Sequence, residues 1–314
     1  MRKIAFMFPG QGSQAVGMGQ DFYEHYPSIQ KLYQEAKEVL GKDIQEMMFH
    51  GPKEVLTETE NTQPALVLAS MAVFSLLKQE GVYPDMTVGH SLGEYSALVA
   101  AGSLQLHDAL PLVSTRGKLM EEAYPKGQGS MAAVLGLNEE EIRDVLTGIK
   151  EEVVDIANLN CPGQVVISGT KQGVHDASIL FKEKGAKRVL PLNVSGPFHS
   201  RLMKAASDTF ASHLDGVPLK DAEIPVYANV TAEAVINKDE IKKLLVEQLY
   251  SPVRFEESIR SMITAGVDTF VEIGSGKVLR GLLRKIDRSV HVFSITDLAS
   301  FDSFINWYKE EMPC

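Results

Sequence analysis

Gly89-His90-Ser91-Leu92-Gly93 lies between a short apolar run and a helical pattern. Met86-Thr87-Val88 reads as the end of a buried strand, and Leu92 to Ala101 as a helix closed by Gly102. A serine on such a strand-to-helix turn is lifted out of the backbone, because the flanking glycines permit a tight, strained path. Its hydroxyl then sits at the positive end of the new helix, where unpaired N–H groups can hold developing negative charge. That is the hydrolase-like elbow geometry a nucleophilic serine needs. Three fixed positions in five also occur in ordinary glycine-rich turns, so the stretch alone leaves both readings open.

Working outward, Ile4 to Phe8 reads as a buried strand running into the turn-rich Pro9-Gly10-Gln11-Gly12-Ser13-Gln14. Helical patterns follow at Ile29 to Leu40, Gln63 to Leu77 and Asp108 to Tyr124. Pro111 places the start of the last of these close to Asp108. Beyond His199 the expected elements are helices at Leu202 to His213, Asp239 to Tyr250 and Phe255 to Ala265. The strands expected there are Pro225 to Val230, Thr269 to Ile273 and Val290 to Ile295. This alternation predicts an α/β fold, a mostly parallel sheet with helices on both faces. Between Gly129 and Leu192 the order is β-α-β-β-α-β, with strands at Met131 to Leu135, Val153 to Ala157, Val165 to Ser168 and Lys187 to Leu192. Asn138 caps one intervening helix, Gln172 to Lys184 forms the other, and Asn158 to Gln164 reads as a loop. That order is ferredoxin-like. The expected division is therefore a large unit, 1–127 and 197–314, with an inserted small domain, 128–196.

A chain of 314 residues, 44% hydrophobic and 23% charged, can bury a large core. The formal net charge of −10 argues against general nucleic-acid or anionic-membrane binding. Cys161 and Cys314 imply no disulfide framework. The apolar run after Met1-Arg2-Lys3 is too short for a signal peptide, so a cytoplasmic location is expected.

Ser91 needs a base, and His199, in the loop Gly196-Pro197-Phe198-His199-Ser200, is the strongest candidate. A loop histidine is more often structural. His90 should point away from Ser91, and no histidine lies in a metal-binding motif, so no metal is expected. Gly10 to Ala15 superficially fits a dinucleotide fingerprint but lacks the second strand and acid that fingerprint requires. Such a loop can instead offer N–H groups to an oxyanion. Gly274-Ser275-Gly276-Lys277 lacks phosphate-loop spacing and reads as a strand-to-helix turn. Arg116 and Met120 share a helix face. Arg116 is either a surface arginine in a salt bridge or a bidentate site for a substrate carboxylate.

Together, Phe8 to Gln14, Gly89 to Glu94, Arg116, Asn158 to Gln164, Gly196 to Ser200 and Glu247 to Pro252 resemble the malonyl-CoA:acyl carrier protein transacylases of bacterial fatty acid synthesis. The resemblance runs from Phe8 to about Arg284 and implies ping-pong acyl transfer without a cofactor. By it, Ser91 attacks the thioester, His199 is general base and then acid, and the N–H groups of Gln11 and Leu92 hold the oxyanion. The main-chain carbonyl of Gln248 orients the histidine, and Arg116 clamps the malonyl carboxylate. Phe198 and Met120 crowd the malonyl α-carbon, and Asn160 and Gln164 line the cleft. The acidic carrier protein implied as partner needs positive charge, for which Lys187, Arg188, Arg280, Arg284 and Lys285 are the candidates, beside the reading that they are solvated charges. A free-standing monomer is expected. The rival readings are a serine hydrolase of the α/β-hydrolase or patatin-like type, and a non-catalytic acyl-CoA-binding protein.

Overall fold

The computed structural model describes residues 2–311, so Cys314 lies outside them. Strand β1 (Ile4–Phe8) is buried along its length, with Ile4, Phe6 and Phe8 in the core on one face and Ala5 and Met7 on the other. Burial on both faces explains its unbroken apolar run. The loop after it leads through α1 (Gln20–His25), α2 (Pro27–Leu40), α3 (Ile44–His50) and α4 (Lys53–Thr57) to the long α5 (Thr59–Gln79). Then come β2 (Met86–Gly89), α6 (Gly93–Ala100) and α7 (Leu106–Glu122). Helix α7 starts before Asp108, so Pro111 lies further inside it than the sequence reading allowed.

The middle of the chain forms a separate sheet: β3 (Gly129–Leu135), α8 (Glu139–Thr147), β4 (Val154–Cys161), β5 (Gln164–Thr170), α9 (Lys171–Glu183) and β6 (Arg188–Pro191). Its strand order is β4-β5-β3-β6, with every pairing antiparallel. Asn138 caps α8 through a full capping box with Glu141. The expected loop Asn158 to Gln164 is instead mostly strand. β4 and β5 extend to a tight turn at Pro162-Gly163, with pairing irregularities between Ile156 and Asn158 and between Leu159 and Cys161. Those bulges hide the two-residue alternation from a sequence reading. The open edge of β4 is covered by the larger unit: Leu159 N–H donates to the Val253 carbonyl, and Val253 N–H to the Ala157 carbonyl.

A 3₁₀ turn (Arg201–Met203) precedes α10 (Lys204–Asp215), where the sequence suggested one helix. The remaining elements are β7 (Val226–Tyr227), β8 (Ala234–Val235), α11 (Lys238–Gln248), α12 (Phe255–Thr264), β9 (Thr269–Ile273), α13 (Val278–Ile286), β10 (His291–Ile295) and α14 (Leu298–Glu311). The strand expected over Pro225 to Val230 shrinks to two residues. The large sheet has the order β10-β9-β1-β2-β7-β8, parallel except for the last pair. Helix α13 follows the strand-to-helix turn expected at Gly274 to Lys277 and buries Leu279, Leu282, Leu283 and Ile286, each worth about 1.5–3 kcal/mol. No helix among the described residues is long and apolar enough to cross a membrane.

Candidate active site

The turn from β2 into α6 is tight enough to require its glycines. A Cβ on Gly89 would lie 1.8 Å from the Gly93 carbonyl carbon, and one on Gly93 would lie 2.0 Å from the Phe8 carbonyl oxygen. Ser91 itself sits at φ 51°, a left-handed conformation that a serine adopts only under constraint. Two amides and a carboxylate supply the constraint. Asn229 Oδ1 accepts the Ser91 N–H at 2.7 Å, and Asn229 Nδ2 donates to the Gly89 carbonyl at 2.6 Å. Gln248 Nε2 donates to the Ser91 carbonyl at 3.0 Å. Buried Glu94 accepts from Asn229 N–H at 3.0 Å and from Gln248 Nε2 at 2.8 Å.

His199 arrives from the other side of the chain, also at a positive φ of 58°. Its Nε2 lies 2.7 Å from Ser91 Oγ, and its Nδ1 lies 2.8 Å from the Gln248 carbonyl oxygen. A carbonyl only accepts, so Nδ1 carries the proton and the Nε2 lone pair faces the serine hydroxyl. Burial, reinforced by the nearby Arg116 charge, pushes the imidazole down to about 3, so it is neutral around pH 7 and its Nε2 lone pair is free.

Arg116 is 1% exposed on α7 and forms no ion pair with a carboxylate among the described residues. Its Nη2 donates to Gln248 Oε1 at 2.9 Å and to Ser91 Oγ at 3.2 Å, its Nη1 donates to Gln63 Oε1 at 2.9 Å, and its Nε has no partner. The surface-salt-bridge alternative is therefore excluded. Gln63 lies on α5 just before Pro64, which has no N–H for the Glu60 carbonyl; Ser114 on α7 donates to that carbonyl instead, at 3.1 Å. Gln63 Nε2 also contacts Met120 Sδ at 3.7 Å. Met120 and Phe198 are both buried, in one core cluster beside the site.

His90 N–H donates to the Phe8 carbonyl at 3.0 Å, drawing the loop that carries Gln11 beside the elbow. Among the described residues, neither Gln11 N–H nor Leu92 N–H is paired with a protein acceptor. The His90 ring turns away, bonding Asn160 Oδ1 at 2.8 Å and packing on Phe255. Gln164 is different: its side chain accepts from Cys161 Sγ beyond the β4–β5 turn, and no hydrogen bond joins it to Ser91, His199 or Arg116. Lys187, Arg188, Arg284 and Lys285 are exposed and Arg280 half-buried. Lys187 lies against Gly136, which bonds the Gly163 carbonyl, and Lys285 is felt by the Cys161 thiol, so the two groups flank the same hairpin turn. The sequence reading missed the side chains of Gln63, Glu94, Asn229 and Gln248.

Residues 5–297 match the acyl transferase domain family. The chain belongs to that family. It is 52% identical over 313 residues, 99% of both chains, to the malonyl CoA-acyl carrier protein transacylase of Bacillus subtilis strain 168. Among solved structures of this acyltransferase family, an acyl carrier protein S-malonyltransferase from Vibrio cholerae superposes with a TM-score of 0.94. It is 45% identical, covering 96% of this chain and 99% of that one. A malonyl-transacylase solved in complex with a type II PKS acyl-carrier protein gives a TM-score of 0.95 at 41% identity, covering 97% and 99%.

Proposed function

We propose that this acyltransferase moves the malonyl group from malonyl-CoA to the phosphopantetheine thiol of an acyl carrier protein in fatty acid biosynthesis, through an ester on Ser91. The observation that carries this reading is Arg116, a buried guanidinium without a carboxylate partner, 3.2 Å from the nucleophile. No carboxylate touches the guanidinium directly, so an acyl group that brings its own gains a charge-assisted contact that acetyl cannot make.

In the first half-reaction Ser91 Oγ attacks the thioester carbonyl while its proton passes to His199 Nε2. The N–H groups of Gln11 and Leu92 receive the oxyanion. Collapse breaks the C–S bond, and His199 returns the proton to the departing CoA sulfur. In the second half-reaction the carrier thiol gives its proton to His199 and attacks the ester, and Ser91 leaves with that proton. The Gln248 carbonyl holds the imidazole where a hydrolase would use a carboxylate. Phe198 and Met120 disfavour a methyl branch on the malonyl α-carbon, and Asn160 supports the cleft through His90. No step calls for a metal or cofactor, and the cytoplasm is the expected site of action.

The turn at Ser91 is a hydrolase-like nucleophile elbow in this reading. The insert 128–196 is a ferredoxin-like domain within a large domain of 1–127 and 197–314, supported by its strand order. Lys187, Arg188, Arg280, Arg284 and Lys285 form the face for the acidic carrier. Incubation with malonyl-CoA, with and without carrier protein, tests the reading: the malonyl group should appear on the carrier thiol, with free malonate forming slowly in its absence. Rapid malonate release that ignores the carrier would make the protein a hydrolase.

A further inference from the structure

Glu94 and Arg116 are both buried, and no direct ion pair joins them. One amide stands between: Arg116 Nη2 donates to Gln248 Oε1 at 2.9 Å, and Gln248 Nε2 donates to Glu94 Oε2 at 2.8 Å. The Gln248 dipole is aligned between the two charges, positive end toward the carboxylate and negative end toward the guanidinium. We propose that Glu94 is the counter-charge of Arg116 while the cleft is empty, and that a substrate carboxylate docking on Arg116 draws a solvent proton onto Glu94. This rests on the malonyl reading of the site.

The reasoning is electrostatic. One buried guanidinium balances one carboxylate, and a second negative charge leaves the cluster with an uncompensated anion, which is relieved by protonation. Glu94 is poised for it, since burial, the dominant cause, pushes its carboxyl up to about 7 against the pull of its hydrogen bonds and of Arg116. Arg116 on α7 is the charged group that faces it. Asn229 and Gln248 on α11 are amides. Burial holds the neighbouring Tyr95 hydroxyl and the His90 and His199 imidazoles in their neutral forms. The proton comes from water or buffer, because the acyl exchange is balanced in itself: the Ser91 hydroxyl proton leaves on the CoA thiol. Glu94 is thus a positioning residue whose charge state follows occupancy of Arg116.

The test is proton uptake during malonyl-CoA loading, read with a pH indicator in weak buffer at about pH 7.5 and normalised to malonyl-Ser91 counted by intact mass. Ionisation of the released CoA thiol is common to all variants and cancels. Wild type should take up roughly half a proton more per malonyl group than Glu94→Gln. In the wild type alone, an infrared difference spectrum with ¹³C-labelled glutamate should lose carboxylate and gain protonated-carboxyl absorption on loading, which decides the matter if the variant does not fold or load. Loading with equal uptake in both proteins, or without the infrared change, overturns the inference. Failure of the wild type to load malonyl at all would instead overturn the malonyl reading.

Discussion

The Asn229 side chain spans the turn at Ser91, accepting the Ser91 N–H at 2.7 Å and donating to the Gly89 carbonyl at 2.6 Å. Ser91 cannot hold its positive φ without such a partner. Asn229→Ala leaves two buried backbone groups unpaired, each costing about 1–3 kcal/mol if water does not replace the amide. The expected outcome is a fall in kcat of ~10–100-fold, with the KM for malonyl-CoA little changed, measured in steady-state transfer assays.

Arg116 should separate malonyl from acetyl. Arg116→Ala removes a charge-assisted, two-point contact worth about 1.5–3 kcal/mol, so kcat/KM for malonyl-CoA should fall at least ~10-fold. Acetyl loading should not fall in parallel, because acetyl never engaged the guanidinium. Arg116→Lys should not restore the wild-type rate, since an ammonium cannot reach Gln63, Gln248 and the substrate with one planar fork. Competition between the two thioesters, followed by mass, checks both statements.

The depressed His199 imidazole fixes two pH dependences. In activity, kcat/KM for malonyl loading should not drop from pH 8 to pH 5, because the folded base stays neutral down to about 3. In stability, the unfolded ring takes a proton below 6.5 that the folded ring refuses, so stability falls with falling pH by up to ~1.4 kcal/mol per unit. Glu94 acts oppositely: the folded chain holds its proton between 4.5 and about 7, and that contribution is lost as pH rises through the window. Thermal unfolding of wild type and His199→Gln at pH 4 to 7 should show a shallower acid-side loss in the variant.

Asp155 ties the His199 loop to the four-stranded sheet. From β4 it accepts the Arg201 N–H at 2.9 Å, two residues beyond His199, and also the Arg201 guanidinium. The pair is largely exposed on the arginine side, so its stability value is below about 1 kcal/mol. Its effect should appear in kcat: Asp155→Ala lowers kcat several-fold at unchanged malonyl-CoA KM. Arg201→Ala, which keeps the backbone bond, should do less.

The sequence was informative where chemistry or packing is local. The G-x-S-x-G spacing carried Ser91, and the burial of β1 and the capping of α8 followed from short patterns. Helix α13 is legible in its Leu279, Leu282, Leu283, Ile286 spacing and in the turn at Gly274 to Lys277 that opens it. Asn229 and Glu94 could not be read this way. They are 135 positions apart, and their bond depends on β7 pairing beside β2. The hairpin at Pro162-Gly163 reads as a loop in the sequence because the bulges in β4 break its alternation.

The most direct measurement is the intact mass of the protein after separate exposure to malonyl-CoA and acetyl-CoA, with Ser91→Ala alongside. The account expects wild type to gain one malonyl group from the first thioester only, and Ser91→Ala to gain nothing. A malonyl adduct on Ser91→Ala, or equal loading by acetyl-CoA, would contradict it.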